Sequence, residues 1–406
     1  MTPILLTADR LFDGSGSAAR LHPVLHLAGE RIVSIDQGPI PPTGASRDRF
    51  DFPGCTILPG LIDTHVHLVF SAADTHEAIV DQVSRETDEE LLARALANAR
   101  AALHSGLTTV RDCGGKDRIV QEVRDRIRRG AAEGSDVLSC GMPITTTTGH
   151  CHWLGLVADG HNAAVRAAER ILAEDADFLK VMATGGNMTP GSDPLRPQYD
   201  PPTLLAIAEI GRRANRHAAA HVLSRSALPG VVAARYRTVE HCDWRIAEDV
   251  YEFQPDLARR MKDQEQYVGL TMSGIARRAY LRQLRDNTSG PVRRLDARFA
   301  AERQLIDSGV KYTLHSDAGV RLTPIDRFAL GLRSAVIELR LTPAEALVAA
   351  TATAADALGL EDRGRLAPGR RADLLIVDGN PLDDLACLER VRAVLKAGHR
   401  VTSLRR

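Results

Sequence analysis

At 406 residues, 44% hydrophobic and 26% charged, the chain has the length for one large α/β domain plus a smaller module and the composition of a globular protein. Its 52 Lys and Arg balance 52 Asp and Glu, so no basic excess points to nucleic acid and no juxtamembrane cluster to anionic lipid. No apolar run reaches transmembrane length, the start lacks the basic region and apolar length of a signal peptide, and the six scattered cysteines form no CxxC pair, so the expectation is a cytoplasmic protein with reduced thiols.

Residues 1–56 read as short strands at 4–6, 24–27, 31–35 and 51–52, punctuated by Gly14, Gly16, Gly29, Gly38 and Pro41-Pro42. From 57 onward, strand-like runs alternate with helical periodicity. Strands are expected at 57–68, 107–112, 136–140, 178–183, 218–222, 237–241, 267–272 and 312–316. Helices are expected at 88–104, 119–129, 163–175, 202–216, 293–308 and 343–358. Strands separated by helices pair in parallel through right-handed crossovers, and eight such units make a (β/α)8 TIM barrel, whose sites sit at the C-terminal strand ends. The tail reads as a strand at 371–378 and a hairpin from 391–396 and 398–401. Neither chain end has enough apolar surface to fold alone. The expected organisation is therefore a composite β-sandwich from 1–56 and 365–406, with a barrel over 57–364.

The residues that carry chemistry fall at those strand ends. His65 and His67 stand two apart, so one strand face can present both imidazoles to one ion. Lys180 lies inside Phe178-Leu179-Lys180-Val181-Met182, where an ammonium is costly unless paired or neutralised. It reads either as a lysine snorkelling from a strand end or as one that reacts with carbon dioxide to give a carbamate able to bridge two ions. Gly185-Gly186 just beyond lets a substrate approach the backbone closely. His221, His241 and Asp317 close later strands; each alone reads equally as a structural histidine or a helix cap. Asp63 and His315 share strand faces with these residues and read as barrel interior or supporting groups. Nitrogen and oxygen donors in this order suit a divalent metal such as zinc, and an open metal position activates water; the pattern points to a metal-dependent hydrolase.

Together with Leu58-Pro59-Gly60-Leu61-Ile62-Asp63-Thr64-His65-Val66-His67 and Phe178-Leu179-Lys180-Val181-Met182-Ala183-Thr184-Gly185-Gly186, these residues resemble the amidohydrolase superfamily. Leu366-Ala367-Pro368-Gly369-Arg370-Arg371-Ala372-Asp373-Leu374 and Asp378-Gly379-Asn380-Pro381 extend the match. The pattern is most similar to the imidazolonepropionase-like branch that includes dipeptide-cleaving prolidases and carboxypeptidases. The resemblance implies two metal ions, usually zinc, bridged by carboxylated Lys180 and a hydroxide. His65, His67 and Asp317 would hold one ion, and His221 and His241 the other. The hydroxide would attack a metal-polarised carbonyl, with Asp317 as catalytic proton shuttle to the leaving nitrogen. His150, in Thr148-Gly149-His150-Cys151-His152, resembles a residue of the loop after the third strand that touches the substrate carboxylate or carbonyl.

One departure stands out. Relatives often carry an aromatic or polar carbonyl-polarising residue shortly after the fifth-strand histidine, and here Leu223 stands there. The absence of an acidic residue at that place, with Lys180 present, favours amide hydrolysis over deamination. A small substrate such as a dipeptide or N-acyl amino acid is expected. The alternatives are an ester, lactone, carbamate or organophosphate, or a metal-free, non-catalytic barrel that binds a small molecule. Arg225, Arg277 and Arg278 are either carboxylate readers or exposed arginines, and residues 187–199 either a lid or a long connection. Apolar helix faces leave room for a homo-oligomer.

Overall fold

A computed structural model describes residues 4–38, 48–273 and 292–401. Eight parallel strands form the barrel: Leu61–Val66, Leu107–Asp112, Asp136–Ser139, Phe178–Met182, His217–His221, Thr238–Glu240, Tyr267–Thr271 and Lys311–His315. Neighbours pair in sequence order. The third and fourth strands join through the Asp177 N–H on the Ser139 carbonyl at 2.8 Å. Val66 bridges in parallel to Ala318, which brings the last strand back to the first. Every residue of the first, second, fourth and seventh strands is buried, as expected where side chains fill the barrel on one face and helices cover the other.

The strand expected at 57–68 breaks at Gly60. Residues up to Pro59 belong to the strand Asp48–Pro59, which pairs in parallel with Ile4–Leu11 and antiparallel with Leu374–Asp378. The chain then changes sheets in one residue. A Cβ on Gly60 would lie 2.3 Å from the Thr108 side chain, so glycine permits the close crossing. The two chain ends thus build one mixed eight-stranded sheet over a core of Leu6, Leu25, Ile57, Leu374 and Ile376 among others.

The expected helix 88–104 is Asp88–His104, started by a capping box between Thr87 and Glu90. The expected 343–358 helix is two helices, Pro343–Ala349 and Ala352–Leu358, because Thr351 between them leaves helical geometry with its φ at −135°. Helices at His76–Arg85, Pro255–Asp263 and Phe328–Glu338 had no counterpart in the sequence reading. His76–Arg85 buries only Ile79 and Val83, too narrow an apolar stripe to register. No helix among the described residues is long and apolar enough to cross a membrane.

Charge fastens the terminal segment to the barrel floor. Asp136, starting the third strand, accepts from Arg363 at 2.7 Å and from Arg371, and pairs with Lys396 at 2.9 Å. Burial alone would raise its pKa, but Lys396, Arg371 and Arg363 hold it well below the usual carboxylate range. A depressed carboxylate contributes stability that is complete above its unfolded pKa and lost as pH falls through the folded one. Asp136→Asn should cost about 3 kcal/mol of unfolding free energy at neutral pH. The gap from the parent should narrow below roughly pH 4, where the unfolded carboxyl protonates. Urea unfolding at a series of pH values checks this; a gap independent of pH would refute it.

Candidate active site

The first and eighth strands are stitched together at their C-terminal ends. The Asp317 N–H donates to the His65 carbonyl at 3.0 Å, and the His67 N–H donates to the Ala318 carbonyl at 2.8 Å. Asp317 takes a left-handed φ of 55°, just past its strand. Its Oδ1 comes to lie 3.5 Å from His65 Nε2 and 3.3 Å from His67 Nε2, a grouping able to hold a metal ion. The other nitrogens are committed elsewhere: His67 Nδ1 to the Gly114 carbonyl and His65 Nδ1 to Glu240 Oε2, both at 3.1 Å. A carbonyl or carboxylate only accepts, so Nδ1 carries the proton and Nε2 is the atom that can present a lone pair.

His221 and His241 face each other with ring centroids 4.7 Å apart. His241 Nδ1 is 2.7 Å from Thr271 Oγ1, which leaves Nε2 free. His221 is turned the other way: Nε2 lies 3.3 Å from the Gly185 carbonyl, so Nδ1 is its free nitrogen. Burial drives His65, His221 and His241 well below the usual imidazole range, with the Lys180 charge acting in the same direction, and so keeps them neutral as metal binding requires. His67 is the exception: burial opposes its charge, but the Asp317 carboxylate raises it above the ordinary value. Asp317 is lowered in return, chiefly by its bond to His67 against the effect of burial.

Lys180 opens into the same cleft as these residues. It is 1% exposed, and its Nζ has no hydrogen-bond partner among the described residues. A buried ammonium without an acceptor is among the costliest arrangements a protein can hold.

Beneath the cleft lies an ion pair that the sequence reading did not find. Glu240 Oε1 accepts from Arg111 Nη2 at 2.6 Å, while Arg111 also donates to the Thr64 carbonyl at 2.7 Å and Thr238 Oγ1 at 3.0 Å. Burial would raise the Glu240 pKa, but the Arg111 and Lys180 charges bring it down to about 2, so it stays ionised and orients His65. The sequence carries little signal for this pair, because both strands hold other polar residues: Thr108, Thr109 and Asp112 beside Arg111, and Thr238 beside Glu240. Asp63 and His315 lie in the interior as expected. Asp63 accepts from the Ser316 hydroxyl and from the N–H groups of His65 and Ser316, and burial still pushes its pKa up to about 7. His315 stacks on His65 at 4.7 Å.

His150 reaches the cleft, stacked on His221 at 4.5 Å. Burial lowers its pKa to about 3, so it is neutral at physiological pH. Leu223 lines the cleft where a polar side chain was the family expectation. Arg225 is paired with Glu252 at 2.7 Å and is not among the cleft-lining residues. Arg277 and Arg278 lie outside the described residues. Of the 187–199 segment, Asn187 and Met188 line the cleft, while Tyr199 is pinned by its hydroxyl donating to the Thr145 carbonyl at 2.7 Å.

A parallel barrel with a His/His/Asp cluster at its C-terminal rim defines the class, a hydrolase with a candidate metal site. The sequence model described as the amidohydrolase family matches residues 56–401, and the chain belongs to that family. Ochratoxinase of Aspergillus niger is 28% identical over 374 residues, covering 83% of this chain and 73% of its own. Imidazolonepropionase of Salinispora arenicola is 28% identical over 354 residues, covering 81% and 79%. A solved structure of a prolidase complexed with N-methylphosphonate-L-proline superposes with a TM-score of 0.82 at 25% identity, covering 99% of this chain and all of that one. A Xaa-Pro dipeptidase with bound methionine shares the fold with a TM-score of 0.85 at 23% identity, covering 98% and 100%.

Proposed function

We propose that the protein is a binuclear metal-dependent amidohydrolase that cleaves the amide bond of a small substrate, a dipeptide or an N-acyl amino acid. The observation that carries this reading is Lys180: a buried amine, without a hydrogen-bond partner among the described residues, in the same cleft as His65, His67, His221, His241 and Asp317. A neutral lysine amine adds carbon dioxide with release of a proton, and the carbamate offers two anionic oxygens where an ammonium offers only an uncompensated charge. His65 and His67 through Nε2, with Asp317, would hold one ion; His221 through Nδ1 and His241 through Nε2 would hold the other; carboxylated Lys180 would join them. The donor set is nitrogen and oxygen, which suits zinc. When bound, such ions supply a water acidic enough to attack at neutral pH and polarise the carbonyl under attack.

The chain's own residues do the rest. Asp317 receives the proton of the attacking water and delivers it to the leaving nitrogen. His150 is neutral and can donate to a carbonyl oxygen, which suits it to orienting the acyl group more than to binding an anion. Relatives named ochratoxinase and prolidase, the latter with a proline phosphonate, support a peptide-like substrate.

The test is a library of dipeptides and N-acyl amino acids, with matched esters, lactones, carbamates and organophosphates, against protein of measured metal content. Close to two zinc ions per chain and turnover of amides ahead of esters are expected. One ion or none, or ester turnover alone, would overturn the proposal.

A further inference from the structure

We propose that Arg298 reads a carboxylate on the substrate, restricting this enzyme to amides that carry a free acid group beside the scissile bond; the inference rests on the cleft being the hydrolytic site. Arg298 lies on the helix Val292–Asp307, which follows the seventh barrel strand. It is the one arginine among the described residues lining the cleft. Of the buried arginines near this rim, Arg245 is not among the cleft-lining residues, and Arg111 spends its donors on Thr64, Thr238 and Glu240. Arg298 is only partly engaged. Its Nε donates to Glu302 Oε1 at 2.8 Å and its Nη2 to the Thr271 carbonyl at 3.3 Å, and neither bond uses Nη1. The side chain keeps 18% of its surface open. A guanidinium has five N–H donors in a rigid fork, so a two-oxygen anion can dock on what remains.

Two further features suit the role. Thr271, whose carbonyl anchors the guanidinium, also holds His241 Nδ1 through its hydroxyl at 2.7 Å. An anion on Arg298 is thereby registered against a residue of the proposed reaction centre by a single intervening residue, the kind of fixed spacing that turns binding into orientation. The second feature is charge. Glu302, the internal partner of Arg298, has no hydrogen bond at Oε2 among the described residues, and burial beside Asp243 pushes its pKa up to about 7. Glu302 and Asp243 hold Arg298 in its charged form, and on the donors that the bonds to Glu302 and Thr271 leave open a substrate carboxylate can add a bond between opposite charges. A carboxamide cannot.

The experiment uses metal-loaded protein in three forms: the parent, Arg298→Met and Arg298→Lys. Calorimetry measures binding of N-acetyl-L-leucine and N-acetyl-L-leucinamide, and the best substrates of the library are assayed beside their C-terminal amides. Arg298→Met should weaken the acid about 10- to 100-fold and leave the amide unchanged. The same change should raise KM for free-acid substrates more than it lowers kcat, and Arg298→Lys should restore part of the acid preference. Equal weakening of acid and amide would mean that Arg298 merely braces its helix and would overturn the proposal. So would an unchanged acid affinity in Arg298→Met, or parent protein that binds neither ligand. If the library shows no amide turnover while the Arg298-dependent acid preference persists, the amidase reading falls and the carboxylate subsite stands.

Discussion

Lys180→Ala should yield a folded protein that has lost most of its metal and nearly all of its activity. The substitution removes a buried amine that has no hydrogen-bond partner among the described residues, so the fold loses no such bond and the melting temperature of metal-free protein should hold or rise. Metal binding should suffer, because the side chain taken to join the two ions is gone while His65, His67, His221, His241 and Asp317 are untouched. Losing a supporting group around a metal typically lowers affinity or activity about 10- to 100-fold, and a bridging ligand should exceed the upper value. Short carboxylic acids such as acetate or propionate fit the space left by the lysine and can supply an anionic oxygen pair, so they should restore part of both metal content and turnover. Metal analysis of dialysed protein with and without added acid is the measurement. Full metal occupancy in Lys180→Ala would remove the bridging role.

Asp317→Asn should separate proton transfer from metal binding. Asparagine keeps the size and one oxygen of aspartate, so the side chain still reaches toward His65 and His67. It cannot accept a proton at neutral pH. General acid–base groups contribute about 10²- to 10⁴-fold, and kcat should fall by that factor with metal content and KM close to the parent values. Near-normal kcat would assign the proton shuttle to another group.

The barrel and its rim were legible because strand geometry is local. Residues two apart share a face, so His65 and His67 could be placed together, while Lys180 inside one strand and His221, His241 and Asp317 closing later ones could be placed without knowing their neighbours. The supporting layer was not legible. Glu240 and Arg111 lie 129 residues apart and meet only once the barrel has closed, so neither residue's strand hints at the other. Arg298 was hidden differently. With Glu302 at i+4 it has the spacing of a solvent-facing helix pair, and only the packing of that helix against the seventh strand makes it part of the cleft. Gly60 was missed because hydrophobicity continues straight through it. What changes there is the pairing partner, and a pairing partner leaves no mark on composition.

That crossover at Gly60 makes the two chain ends mechanical parts of the catalyst. The segment entering the first barrel strand is held by Leu374–Asp378 on one edge and Ile4–Leu11 on the other, and the Gly60 N–H itself donates to the Asp373 carbonyl at 2.9 Å. Five residues later the same backbone delivers His65. The termini therefore act as a splint on the strand that carries the histidine pair, and a minimal catalyst cannot be made by trimming this protein to its barrel.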